Sequence, residues 1–383
     1  MQAGGRRFEP ARLHQKTCGP GQDQPGAFLY ARQDLNLRPL APEASALSPE
    51  LRAHMAEGVG FEPTAEPQQP GYGLASRCLR PLDHPSGHAI LGAFPVPCQA
   101  SERRCFWLPS ISVMRRESDR QEVLGRYVAF LLDVDGVLVR DRDPIPGARE
   151  ALEELKGRGR VILLTNNSTR SRAETARRLA ALGFDISPEE VVTSSYVAAR
   201  YLLEEFGPRK VWVIGEEGLS QELAAAGHAL VPPEEAEWIV AGMDRALTYD
   251  KLAQALRGLL GGARFLATNR DATFPTPEGL LPGAGAVVGA IEGMGFSPEQ
   301  VVGKPSAIAF RIALEVARAE PGCALMVGDR LETDILGAQR AGLDTALVLT
   351  GVSRPNDVRR LGIKPTWVAE DLAALARGQV ASP

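Results

Sequence analysis

Histidine is nearly absent from the larger part of this chain. Of five histidines only His228 falls after residue 120, which excludes histidine-based zinc chemistry and Ser-His-Asp catalysis there. Cysteine is as sparse. Cys18, Cys78, Cys98 and Cys105 lie before residue 120 without a Cys-x2-Cys or paired-histidine spacing, so neither a zinc site nor a disulfide framework is expected. The fifth, Cys323, stands alone and reads as a buried thiol in a reducing compartment. Long apolar runs are missing as well. Stretches such as 127–132 fall far short of the ~18 to 20 residues that cross a bilayer, and the opening MQAGGRRFEPARLH has no signal-peptide apolar region. A soluble, cytoplasmic protein with no membrane partner is expected. Clustered cations are also lacking: the 383 residues carry a net charge of −4 with no Lys/Arg run, which argues against nucleic acid as the main partner.

What is present divides at about residue 120. Residues 1–120 hold 14 of the 29 prolines and only one lysine, Lys16, and they carry a net +2 against −6 for the remainder. No apolar repeat of period 2 or 3.6 persists there, so residues 1–120 read as an irregular or disordered extension. Within it, DLNLRPL (34–40) and GVGFEPTAEPQQPGYGLASRCLRPLDHPS (58–86) resemble peptides made when transfer-RNA genes are translated by mistake. That resemblance implies a segment never selected to fold and a start at Met114; a genuine regulatory tail is the rival reading.

From Arg126 onward, short apolar runs alternate with helix-length amphipathic stretches, the pattern of a parallel sheet covered by helices. Strands are expected at 127–132, 161–164, 211–214, 238–240, 265–267, 324–327 and 345–349. Helices are expected between them, among others at 148–156, 172–182, 249–260, 307–317 and 333–341. Gly183, Gly261 and Gly342 punctuate helix ends, and Ser306 can cap the helix it precedes.

Ligands of such sheets sit beyond the carboxyl ends of the strands, and three of those positions are chemically loaded. The first strand runs into Asp133 and Asp135, the second into Thr165, Asn166 and Asn167, and the strand at 324–327 into Asp329, with Asp334 five residues on. Carboxylates at i and i+2 leaving a strand point to one side, and a hard dication relieves their repulsion. Mg²⁺ suits such oxygen ligands: Asp133 and Asp329 could supply side chains, while Asp334 could orient a metal-bound water. A Ca²⁺ loop is excluded at this motif, because glycine comes fourth and Pro144 occupies the twelfth position. Each signal alone also has a bland reading. Asp133 to Gly136 and Thr165 to Asn167 could be turns, and Lys304 could be an exposed loop lysine.

Taken in order, LLDVDGVL (131–138), LLTNNST (163–169), VGKPS (302–306) and VGDRLETDI (327–335) resemble the four signatures of the haloacid dehalogenase superfamily, in particular its subfamily IIA phosphatases, over residues 126–374. The resemblance implies a Rossmann-like, doubly wound parallel sheet with an inserted α/β cap. It implies a Mg²⁺-dependent phosphatase of small phosphorylated metabolites such as p-nitrophenyl phosphate, phosphoglycolate, sugar phosphates and nucleotides. It makes Asp133 the nucleophile and Asp135 the general acid and base, which also ligates the metal through its backbone carbonyl. Thr165, the Asn166 amide and Asn167 hold phosphoryl oxygens, Lys304 compensates their charge, and Asp329 completes the metal set. A phosphotransferase passing the same aspartyl phosphate to an alcohol, and a phosphate-binding module without turnover, remain the alternatives.

Spacing locates the cap. Only 29 residues separate Asp135 from Thr165, whereas 138 separate Thr165 from Lys304. The expected division is therefore 121–203 for the first part of the core, 204–282 for the cap and 283–383 for the rest of the core, with Gly283, Gly285 and Gly289 opening a core helix. Segments 241–256 and 267–279 are where substrate selection is expected. Arg245 there reads as a surface arginine or an anion contact, and Thr268, Asn269 and Asp271 as hinge turns or contacts. Oligomeric state is left open by the sequence, with a homodimer one outcome, because caps of the resembling family often offer surfaces for pairing.

Overall fold

The computed structural model describes residues 124–140, 142–276 and 279–382; the expectations for residues 1–120 and Met114 lie outside them. In chain order its elements begin with β1 (Ala129–Leu132), β2 (Val139–Arg140), β3 (Asp143–Pro144), α1 (Ala148–Lys156), β4 (Arg160–Thr165), α2 (Arg172–Ala181), β5 (Val191–Thr193) and α3 (Ser194–Phe206). A second group follows: β6 (Lys210–Ile214), α4 (Glu217–Ala225), β7 (Ala229–Leu230), β8 (Trp238–Ala241), α5 (Tyr249–Leu260), β9 (Arg264–Ala267), β10 (Thr273–Thr276), β11 (Gly279–Pro282), α6 (Ala284–Glu292) and β12 (Gln300–Val301). The chain then closes with α7 (Ala307–Ala317), β13 (Ala324–Gly328), α8 (Leu336–Arg340), β14 (Asp344–Val348), α9 (Pro355–Leu361), β15 (Trp367–Ala369) and α10 (Leu372–Ala376).

Six strands form one parallel sheet in the order β15-β14-β13-β1-β4-β5. This is the doubly wound arrangement, with the winding reversing between β1 and β13. β1 is apolar throughout because helices cover both of its faces. Its period-2 alternation feeds two cores: Phe130 and Leu132 pack with Leu152, Leu163 and Leu372, while Ala129 and Leu131 pack with Leu164, Phe310 and Met326. Helix ends follow the capping chemistry expected. Ser306 Oγ accepts Ile308 N at 3.4 Å above α7, and Thr248 Oγ1 accepts Lys251 N at 3.2 Å above α5.

The second sheet, β12-β9-β8-β6-β7, is also parallel. Its boundaries correct the spacing argument. The Glu204 limit falls inside α3, whose Val197 and Leu202 pack with the first sheet's core. At the other end the sheet takes its edge strand from β12, well past Pro282, and Val287, Val288 and Ile291 of α6 fill its core beside Ile239 and Phe265. The glycine-rich segment at 283–289 thus opens a helix of the inserted domain and not of the first sheet. Spacing could count residues but could not show that α6 is apolar toward the second sheet. Two antiparallel hairpins, β2-β3 and β10-β11, complete the architecture. No helix among the described residues is long and apolar enough to cross a membrane.

Several single expectations change. Cys323 is half-buried and disulfide-bonded, so it is not an isolated thiol. The helix expected from Thr333 begins instead as a π-helical turn, Leu331–Ile335, because Ile335 N reaches back five residues to Arg330 O at 3.2 Å. His228 is structural: its Nδ1 accepts Arg209 N at 3.1 Å, which leaves Nε2 to donate to Ala199 O at 3.0 Å.

Candidate active site

Parallel neighbours end at one edge of a sheet, so the register Leu132↔Val327 and Leu132↔Leu163 delivers Asp133, Asp329 and Thr165 together at the reversal of winding. Asp135 leaves β1 through a bridge to Val139, and Gly136 follows with φ +84°, a turn that an L side chain resists. A Cβ on Gly136 would lie 2.6 Å from Asp329 Oδ2, so glycine also makes room for that carboxylate. Lys304 arrives from the other domain, on the loop after β12.

Lys304 is 2% exposed, which rejects the exposed-loop reading. Its Nζ lies 2.9 Å from Asp133 Oδ1 and 2.7 Å from Asp334 Oδ1. Burial alone would lower its pKa, but the Asp133 and Asp334 carboxylates overcome this and hold it above the usual lysine range. Asp334 is therefore an ion-pair partner of the lysine, with its Oδ2 accepting Arg330 N at 3.0 Å. Burial pushes the Asp133 carboxyl well above the carboxylate range; Lys304 opposes this, and Asp334 and Asp329 add to it. Burial, then Asp334, pushes Asp329 up to about 6. Burial raises Asp135 too, against the pull of Arg178 and Lys304.

Oxygens of Asp133, Asp329 and Asp334 lie within 4.8 Å of one another. Asp329 Oδ2 accepts Val352 N at 2.7 Å, whereas its Oδ1 is buried with no hydrogen-bond partner among the described residues. Three crowded carboxylates, one with an orphaned oxygen, suit a hard dication such as Mg²⁺.

Of the second signature, Thr165 Oγ1 accepts Asn167 N at 3.1 Å, and Asn167 Oδ1 accepts both Thr169 N at 2.9 Å and Thr169 Oγ1 at 2.7 Å. These bonds are those of the turn reading, and both residues also line the cavity. The Asn166 side chain is committed to Lys304 and Asp271, which leaves only its backbone amide for a phosphoryl oxygen.

A cavity of about 430 Å³ joins these residues to Met243, Asn269, Asp271, Phe274 and Leu280 of the second domain. Arg245 is absent from its walls. It forms a two-pronged pair with Glu216, at 2.7 and 2.6 Å, beside a separate polar cavity. Sequence reasoning did not single out Gly351 or Val352, which cradle Asp329 from the loop after β14. The strand-end rule, applied to that strand as well, would have found them.

Haloacid dehalogenase-like hydrolase and HAD-hydrolase-like family models match residues 130–229 and 301–375. An acid sugar phosphatase of Staphylococcus aureus (strain USA300) is 38% identical over 251 residues, covering 65% of this chain and 96% of that protein. The chain belongs to the haloacid dehalogenase-like hydrolases. Solved structures of this hydrolase family agree. A p-nitrophenyl phosphatase from Archaeoglobus fulgidus matches with a TM-score of 0.62 and 36% identity over 65% of this chain and 98% of its own. A glycerol phosphate phosphatase from Mycobacterium tuberculosis, solved with magnesium, matches with 0.63 and 36% over 68% and 79%.

Proposed function

We propose that this hydrolase is a Mg²⁺-dependent phosphatase that cleaves small phosphomonoesters through an aspartyl phosphate on Asp133. The observation that carries this reading is the buried ammonium of Lys304 between Asp133 and Asp334, beside an Asp329 oxygen with no partner. A nucleophile, a fixed positive charge and an acidic metal cradle are what phosphoryl transfer requires.

Val134 N at 2.8 Å and Lys304 Nζ both engage Asp133 Oδ1, so Oδ2 is the oxygen left to attack phosphorus. As that bond forms, the bond from phosphorus to the leaving oxygen breaks and Asp135 donates its proton to that oxygen. Its raised proton affinity suits a group that must arrive protonated. Asp135 then takes a proton from the water that attacks the aspartyl phosphate, releasing inorganic phosphate and restoring Asp133. Lys304, Thr165 and the Asn166 backbone amide would hold phosphoryl oxygens. Asp133 and Asp329, with the Asp135 carbonyl, would hold Mg²⁺, which when bound supplies neutralising charge.

The cavity is small on the scale of ligand sites, ~300 to 1,000 Å³, which fits a substrate the size of a sugar, glycerol or nitrophenyl phosphate, the classes named for the relatives. The test is phosphate release from p-nitrophenyl phosphate, glycerol phosphate, sugar phosphates, phosphoglycolate and nucleotides, with Mg²⁺ or chelator. Hydrolysis that depends on Mg²⁺ is expected. Transfer to an added alcohol in place of water would make it a phosphotransferase, and phosphate binding without turnover would reduce it to a binding module.

A further inference from the structure

The Asn166 side chain is the centre of a hydrogen-bond knot that joins the two domains. Lys304 N donates to Asn166 Oδ1 at 2.8 Å, and Asn166 Nδ2 donates back to Lys304 O at 3.0 Å, as a neighbouring strand would. The second hydrogen on Nδ2 goes to Asp271, 3.1 and 3.2 Å from its two oxygens. Both amide donors are thereby spent. The approach depends on Gly303, where a Cβ would fall 2.7 Å from Asn166 Oδ1 and 2.5 Å from Thr268 O.

Asp271 stands at the root of the β10-β11 hairpin. Gly285 N donates to Asp271 O at 2.9 Å and Gly283 N to Ala272 O at 3.0 Å, closing that root. Asp271 N donates to Asn269 Oδ1 at 3.1 Å, and Asn269 Nδ2 donates to Asn166 O at 2.8 Å. Thr273, Phe274, Thr276 and Leu280 of the hairpin face the same cavity as the Lys304 ammonium. An unbroken hydrogen-bonded path therefore runs from the walls around a leaving group to the main chain of the lysine that faces the phosphoryl group.

We propose that Asp271 is a positioning residue: through Asn166 it holds the backbone of Lys304, and so its ammonium, in fixed placement relative to the β10-β11 hairpin. A lysine side chain is long and rotatable, and only a fixed backbone keeps Nζ within reach of both Asp133 and Asp334. A carboxylate is the strong acceptor for the task, because charge-assisted hydrogen bonds are about twice as strong as neutral ones. Displacements near 1 Å at such a site cost roughly a hundredfold in rate.

Asp271→Leu and Asp271→Asn in the full chain test the proposal, by kinetics on p-nitrophenyl phosphate and by amide hydrogen exchange over residues 302–306. Asp271→Leu should lose roughly tenfold or more in kcat with little change in KM, and exchange at Lys304 should accelerate by a similar factor. Asp271→Asn keeps an acceptor oxygen for Asn166 Nδ2 and should recover most of both. Asp271→Ser replaces the leucine variant if that chain does not fold. Unchanged exchange in Asp271→Leu overturns the proposal, as does a change confined to KM, which would mean direct substrate contact. So does an asparagine variant as impaired as the leucine one. The kinetic arm rests on the phosphatase reading, but the exchange arm needs no turnover. An inactive wild type would therefore sink that reading and leave exchange to decide this one.

Discussion

Replacing Asp329 by asparagine should stabilise the metal-free protein. The substitution keeps the shape and an oxygen for Val352 N–H, and it deletes one buried negative charge next to Asp334. Burial and Asp334 lift this carboxyl from the ordinary 3.8 to about 6, and the residue is only 2% exposed, so little solvent screening applies. At ~1.4 kcal/mol for each tenfold change in proton affinity, the rise corresponds to about 3 kcal/mol. The sign follows from the direction. A carboxyl with a raised folded-state pKa favours folding when protonated, so its stabilisation is full below about pH 4 and is lost as pH rises through about 6. In chelator at about pH 7.5 the variant should therefore exceed the wild type by about 3 kcal/mol in urea unfolding, and the gap should shrink toward about pH 5. Mg²⁺ should reverse the order. Binding at a thousandfold excess over Kd contributes about 4 kcal/mol to the wild type and little to a variant lacking a ligand. A variant less stable than wild type in chelator at about pH 7.5, or a gap that ignores both pH and Mg²⁺, would refute the reasoning.

Asp133→Asn should abolish turnover and acid-stable incorporation of labelled phosphate; the shape is kept, so the chain should still melt cooperatively, with a midpoint shifted because Lys304 loses one of its two buried carboxylates. Lys304→Met should lower kcat by roughly 10²- to 10³-fold, and without metal it should cost about 3 to 5 kcal/mol in denaturant unfolding, since two buried carboxylates lose their cation. Gly351→Ala places a Cβ 1.9 Å from Asp329 Oδ2, so the loop must shift; the Mg²⁺ concentration giving half-maximal activity should rise roughly 10- to 100-fold. Asp135→Asn should slow both formation and breakdown of the phosphoenzyme, which single-turnover quench experiments resolve separately.

The site was legible where chemistry sits on consecutive residues at a strand end. Asp133, Thr165 and Asp329 each follow an apolar run, and parallel pairing of β13, β1 and β4 brings them together without further information. Asp334 was legible as present but not in its partner, because the ion pair with Lys304 spans two domains. Asn166 was read by its place in a phosphate-binding signature. Its side chain turned out to serve Lys304 and Asp271, and a preference between a phosphate and a carboxylate from a distant loop leaves no trace in local spacing. Arg245 carries the same lesson in reverse: only the fold shows Glu216 within reach.

Composition and periodicity by themselves determined the class of this protein: an α/β chain with acidic groups at strand ends and no histidine for zinc or serine chemistry. Those are local properties, set by which side chains alternate and where apolar runs stop. The tertiary structure alone decided the end of the inserted domain at β12, the burial of Lys304, the orphaned oxygen of Asp329 and the knot around Asn166. Each depends on segments well separated along the chain meeting in the fold, and the free energy of such a meeting resides in contacts that no short window along the chain contains.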